Sequence, residues 1–304
     1  MTTRKRWIAL LLATALPAGA AGTMAAQAPA HRHAAPAPDE GLTAKARTQI
    51  AEARRAVAPL ATPEAARAAG YVPMFGNVPL QGEHFVRMDL VRGDRFDPSH
   101  PSVLIFAPVD GRPALVGAAY AYLHPTRDAM PEGFDGAADP WHTHDDLTDV
   151  PGKHLVMTHL WLVPAPDGPF ARYNPSLPFL AAGLAPVAVP ADAAGARRVR
   201  EVALALALVT APPRALERAE RAAGPALAAR LQPHRDAMLA LLPAMKAAQR
   251  SNDRAALDRL SADAAARSRA LVALYRDAAG SSWARRAVDR ELAQFFAEEH
   301  AHGG

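Results

Sequence analysis

Apolar residues follow different periods in three stretches of the chain. Over residues 41–58 they recur at three- and four-residue spacing, which predicts a helix. Thr62 then caps a second short helix that reaches Ala69, with Pro63 at its first position, where proline is tolerated. From 70 to about 190 the apolar runs shorten, and proline and glycine become frequent. Val103-Leu104-Ile105-Phe106, then Asp110-Gly111, then residues 114–122 predict a β-hairpin, and 154–163 a further strand. From Ala191 onward Ala, Leu, Arg and Glu dominate and the helical period returns. Pro212, Pro213, Pro233 and Gly280 are expected to divide this region into four or five helices. Val288, Leu292, Phe295 and Phe296 share one helical face, as do Leu257, Leu260, Ala264, Leu271 and Leu274. The expected fold class is α+β: short helices, a β-rich central domain carrying a histidine cluster, and a C-terminal helical bundle. No internal repeat is present.

The N-terminus changes the picture of where the protein works. Arg4, Lys5 and Arg6 precede an apolar stretch over 7–16, then Pro17 and the small residues Ala18-Gly19-Ala20. That order is a secretory signal, expected to span 1–20 and to leave Ala21 as the new terminus, with later cuts near Ala26 as an alternative. The other reading is an uncleaved anchor, but the apolar core is shorter than the ~20 residues a spanning helix needs. The organisation expected is signal peptide 1–20, disordered Ala/Pro-rich linker 21–40, helices 41–69, β-rich domain 70–190, helical region 191–299 and tail 300–304. The mature chain is expected in the periplasm or outside the cell, with no transmembrane anchor after processing.

Charge and cysteine content narrow the chemistry. Losing the signal lowers Lys+Arg from 34 to 31, against 30 Asp+Glu. A near-neutral mature chain lacks the basic surface that phosphates require, so no nucleic-acid partner is expected. There is no cysteine. Disulfides, lipid attachment at cysteine, thiolate nucleophiles and cysteine metal sites are therefore excluded. Any metal must be held by His, Asp, Glu or Met.

The candidate chemistry lies in the β-rich segment. His124, His142, His144, His154 and His159 fall within 36 residues, and His84 lies upstream in Gly82-Glu83-His84-Phe85. In an extended Trp141-His142-Thr143-His144, residues i and i+2 point to one face, so both imidazoles can reach one ion. On the strand from His154, Met157, His159 and Trp161 share a face and His154 takes the other. His142, His144, His159 and His84 are the proposed metal ligands, with a divalent ion, zinc first and copper second. Asp145 and Asp146 could complete the coordination or orient a histidine. Glu83 is the candidate acid/base group, and only if a turn reorients it, since it opposes His84 on a straight strand. The plain alternatives are core histidines with satisfied hydrogen bonds and solvated loop carboxylates. His31, His33, His300 and His302 sit in tails. There is no G-x-S-x-G elbow, H-E-x-x-H helix, P-loop or G-x-G-x-x-G after a strand.

Four motifs carry a family likeness. Gly70-Tyr71-Val72-Pro73, Gly82-Glu83-His84-Phe85, His159-Leu160-Trp161 and Asp167-Gly168-Pro169-Phe170 with Asn174-Pro175 resemble a family of uncharacterised secreted bacterial proteins. Its members carry G-Y-x-P, G-x-H-aromatic, H-x-W and N-P motifs. The resemblance spans roughly 62–178, omits the helical region, and implies only that His84 and His159 belong to a shared site. The leading functional expectation is an exported metal-binding protein, with catalysis hanging on an open coordination position that activates water. One alternative is a cupin-like small-molecule binding module; another is a metal-free protein whose helices meet an envelope partner. No small-molecule substrate can be read from the residues.

Overall fold

The computed structural model describes residues 42–91, 95–127, 129, 131–136, 141–144, 148, 150–186, 193–278 and 282–296. The signal, linker and tail expectations, and Asp145 and Asp146, lie outside the described residues. Threonines open the first two helices, the second as predicted. Thr43 accepts from the Ala46 N–H at 3.0 Å to cap α1 (Ala44–Val57). Thr62 accepts from Ala65 at 3.2 Å to cap α2 (Pro63–Ala68). Each bond satisfies one of the N–H groups that a helix start leaves without a partner.

A six-stranded antiparallel half-barrel follows: β1 (Val72–Val78), β2 (Gly82–Val86), β3 (Val103–Val109), β4 (Arg112–His124), β5 (His142–His144) and β6 (His154–Trp161). Their order across the sheet is β1-β2-β3-β4-β6-β5. The predicted hairpin is β3–β4. Asp110 and Gly111, with φ of 47° and 74°, make its two-residue turn, and left-handed residues at both positions match the strand twist.

Curvature has a local cause. Ile105 faces Gly117 and Phe106 faces Leu115, which leaves Val116 as an extra residue in β4. Such a bulge bends and twists the strand that carries it. The Val116 carbonyl is not lost to pairing, because it accepts from the Leu162 N–H at 2.9 Å.

The two faces of the sheet bury different partners. Tyr120, Tyr122, Val156 and Leu160 pack on Ala46, Ile50 and Ala53 of α1, and Phe85, Leu104 and Phe106 on Val57, Ala66 and Tyr71. The opposite face, with Val86, Val103, Ile105, Ala119, Ala121, Met157 and Trp161, is covered in part by Leu177 and Leu180. Those two leucines belong to α3 (Leu177–Ala181), a short helix after the sheet.

The C-terminal region is helical, in five pieces: α4 (Ala193–Thr210), α5 (Arg214–Ala223), α6 (Pro225–Ser251), α7 (Arg254–Ala278) and α8 (Ser282–Gln294). One predicted break is wrong. Pro233 does not end a helix; it and Pro243 both lie inside α6. Each interior proline costs about 3 kcal/mol in a lost bond and a steric clash. Burial of Leu227, Leu231, Met238 and Met245 along the same helix offsets that, at roughly 1.5–3 kcal/mol per large side chain. The breaks fall instead at Gly224 (φ 70°) and the left-handed Asn252 (φ 53°); Gly280 lies outside the described residues. Val288, Leu292 and Phe295 are buried as expected, whereas Phe296 is 39% exposed.

Leu80, from the β1–β2 turn, inserts into the helical core beside Leu204, Leu208 and Phe295. Asn77 donates to the Ala211 carbonyl at 2.8 Å and Arg214 to the Phe75 carbonyl at 2.6 Å, tying β1 to the start of α5. Among the described residues no helix is long and apolar enough to cross a membrane.

Candidate metal centre

Strand pairing sets which histidines share a face. His142 faces Met157 and His144 faces Leu155 across β5–β6, so His159 is the diagonal neighbour of His142. Residues 142, 144, 155, 157, 159 and 161 all project to one side. On β2, His84 faces Ile105, which faces Gly117, which faces Trp161. His84 therefore projects to the same side as His159.

Three steps across the sheet separate β2 from β6, about 14 Å on a flat sheet at the usual strand spacing. The rings of His84 and His159 nevertheless lie 6.1 Å apart between centroids. The half-barrel's curl closes that gap, and the residues between make it feasible. β4 presents Gly117, Ala119 and Ala121 to this face, leaving room above the strand. A Cβ added at Gly117 would lie 3.1 Å from the Trp161 ring and 3.3 Å from Ile105, so a side chain there would displace the residues beside the cluster. Gly82 is needed for a different reason: its φ is 72°, and a Cβ would come within 2.5 Å of the Phe106 carbonyl oxygen.

The imidazoles form a chain. His142 lies 4.8 Å from His144 and 5.0 Å from His159, and His159 lies 6.1 Å from His84 and 5.9 Å from Trp161, all between ring centroids. Burial is graded along it. His159 is 1% exposed and His84 5%, whereas His142 and His144, on the edge strand β5, are half-buried.

The electrostatics follow from this packing. His84 is pushed down to about 4, chiefly by burial and then by His144, opposed by a hydrogen bond to the Gly82 backbone. His159 is held well below the usual histidine range, first by burial and then by His142, His84, His144 and Arg172. Both rings are neutral near pH 7, the form in which a ring nitrogen offers its lone pair. Both nitrogens of His159, and Nδ1 of His84, are buried without a hydrogen-bond partner in the protein. A buried polar atom in that condition typically costs about 1–3 kcal/mol. Among the described residues no group of three or more His, Asp or Glu side chains is placed to hold a metal ion.

The other sequence candidates separate from this cluster. Glu83 faces Phe106 on β2 and projects with Phe85 to the α1–α2 side, so no turn brings it round. His154 faces His124 across β4–β6 and alternates away from His159. Met157 is core, 5% exposed.

Framework residues that the motifs contain but do not explain now have roles. The Trp161 indole N–H donates to the Ala171 carbonyl at 2.6 Å. Gln81 donates to the Arg172 carbonyl at 3.1 Å. Asn174 is fully buried; its amide donates to the Pro164 carbonyl and its Oδ1 accepts from Ser176. The Asn-Pro motif thus fixes the segment after β6 against the sheet. Arg172 is the neighbour of the cluster that the sequence reading missed, since an arginine beside a motif carries no signal of its own. A further Asp97-Ser99-His100 grouping is a local turn: the serine and the aspartate both meet Nδ1 of an exposed His100.

Comparison of the chain with family models, with curated proteins and with solved structures gave no match in any of the three.

Proposed function

We propose that this chain is an exported metal-binding protein whose ion, zinc first and copper second, is held by His159, His142, His144 and His84. The observation that carries the reading is His159, an almost wholly buried, neutral imidazole with neither ring nitrogen hydrogen-bonded, surrounded by further imidazoles. Natural proteins rarely leave such atoms without a partner, and a metal ion supplies one. The ring spacing supports the same reading. With a metal–nitrogen distance of about 2.0–2.1 Å, tetrahedral imidazole ligands place their ring centroids about 5 Å apart. Two of the three spacings are 4.8 and 5.0 Å and the third is 6.1 Å.

The residues fit a borderline ion of the zinc or copper type, because neutral imidazole is a common ligand for both and no thiolate is present. The chain would hold the ion, exclude water on its buried side through His84 and His159, and admit ligands from the β5 edge. Export rests on the Arg4-Lys5-Arg6 start, the apolar stretch after it and the Ala18-Gly19-Ala20 site. The binding reading is tested by metal analysis of protein purified without a histidine tag and dialysed against zinc or copper. One ion per chain is expected in the parent, little in His159→Leu or His142→Ala, and no loss in His300→Ala. A parent chain that retains no ion, or variants that retain as much as the parent, would overturn it.

A further inference from the structure

The His84 end of the cluster has a methionine beside it. Met74 of β1 stands directly opposite His84 of β2. The two therefore project to one side of the sheet, with Cβ atoms about 4.5–5.5 Å apart. Met74 is half-buried and packs against the apolar cluster that contains Ile105, Met157 and Trp161 on the histidine face. Its place is marked by a break in the pairing. Regular register stops at Met74 and resumes at Asn77, and Phe75 and Gly76 between them take φ of 71° and 67°. A bulky residue in the left-handed region is strained, and here the Arg214 guanidinium holds it by donating to the Phe75 carbonyl. Irregularities of this kind re-aim side chains and occur preferentially beside sites.

A thioether changes which ion this end suits. The chain has no cysteine, so methionine sulfur is the softest donor it can offer. Thioethers select copper(I), whereas zinc takes imidazole, carboxylate and thiolate. The imidazole donors beside Met74 are open: Nδ1 of His84 and both ring nitrogens of His159 are buried without a hydrogen-bond partner in the protein, and the two rings lie 6.1 Å apart. Glu83, the acidic residue next to His84, faces the other side of the sheet. Removing an ion from water costs in proportion to the square of its charge. Among uncharged ligands a monovalent ion is therefore far cheaper to bury than a divalent one.

We propose that the His84 end of the cluster takes copper in its +1 state, with the Met74 thioether joining the imidazoles of His84 and His159. The proposal rests on the metal reading above. It makes Met74 the residue that separates copper(I) from zinc, because zinc is held by the imidazoles alone.

The test uses the full chain purified without a histidine tag, and two probes: zinc, and copper(I) kept reduced without oxygen and competed against bicinchoninate. X-ray absorption at the copper edge then reports the ligands. Because the chain has no cysteine, any copper–sulfur scattering comes from methionine. The expected result is one copper(I) ion per chain with a sulfur neighbour. Met74→Leu, a swap of similar volume, should remove that sulfur and weaken copper(I) by about tenfold or more, no less than the loss of an outer-shell partner costs. Zinc affinity should stay within a few-fold. Met157→Leu should keep the sulfur neighbour, which answers the question if the Met74 variant does not fold. Nitrogen-only copper, sulfur retained in Met74→Leu, sulfur lost in Met157→Leu, or zinc weakened as much as copper(I) would each overturn the proposal and leave the metal reading standing. So would zinc binding without copper(I) binding. Failure of both ions to bind would remove the metal reading, and this proposal with it.

Discussion

Buried polar groups are handled in opposite ways in the helical region and on the histidine face of the sheet. Between the helices, Arg235 makes two hydrogen bonds to the Glu220 carboxylate, at 2.9 and 2.6 Å, and a third to the Tyr275 hydroxyl at 2.7 Å. Tyr275 is wholly buried and its hydroxyl also reaches Glu220 at 3.3 Å. The network closes on itself and joins α5, α6 and α7. On the sheet, His159 is as deeply buried as Tyr275, yet neither of its ring nitrogens has a partner in the protein. A closed network specifies packing. Donor atoms left open at the same depth are suited to meeting something from outside the chain, and on the proposed metal reading that difference separates scaffold from site.

Adding metal should widen the contrast most. An ion bound only by the native state, present at ~1,000-fold above its dissociation constant, raises stability by about 4 kcal/mol. Denaturant unfolding with and without zinc should show that gain in the parent chain and in Glu220→Gln, and not in His159→Leu.

Breaking the helical network comes next. Glu220→Gln removes the carboxylate from two charge-assisted bonds and should cost about 2 kcal/mol whether or not zinc is present. A cost that depended on zinc would mean that the two regions are not independent.

The reverse sign is expected on the sheet. In metal-free protein His159→Leu replaces two unsatisfied nitrogens with an apolar group of similar size, and should stabilise by about 1–2 kcal/mol. Destabilisation of that size would show that the imidazole is already satisfied in the apo protein.

Acid titration should give the smallest effect. The Arg235 guanidinium beside Glu220 holds its carboxyl below the usual glutamate value of 4.5, with Tyr275 assisting. A carboxyl lowered on folding contributes stability above its unfolded value, and loses it as pH falls through the folded one. Unfolding of the parent chain measured below about pH 4.5 should therefore show an acid-sensitive component that Glu220→Gln lacks.

Much of this architecture was legible in the residues because the signals were local. Thr62 caps where threonine before a helical period predicts, and Asp110-Gly111 turns where its two left-handed residues allow. Pro233 misled, since a local breaker gives no measure of the core that Leu231 and Met238 build around it. At the site, the shared face of His142 and His144 followed from strand alternation alone, whereas that of His159 depends on the β5–β6 register. The approach of His84 did not follow from alternation either. It depends on a curl set by the Val116 bulge and by the small residues of β4, which are pairing properties of strands far apart in sequence. Arg172 was hidden for the same reason: its main chain is held by the hydrogen bond from Gln81 to its carbonyl and by that from Trp161 to the preceding Ala171 carbonyl, and neither contact is local.

The central claim is that the histidine face holds an ion, and anomalous diffraction at the zinc edge from crystals grown with zinc tests it most directly. The account predicts one strong peak among the rings of His84, His142, His144 and His159, about 2.0–2.1 Å from at least three ring nitrogens. Full-length protein whose only anomalous peaks lie elsewhere, with the His159 nitrogens still without a partner, would contradict it.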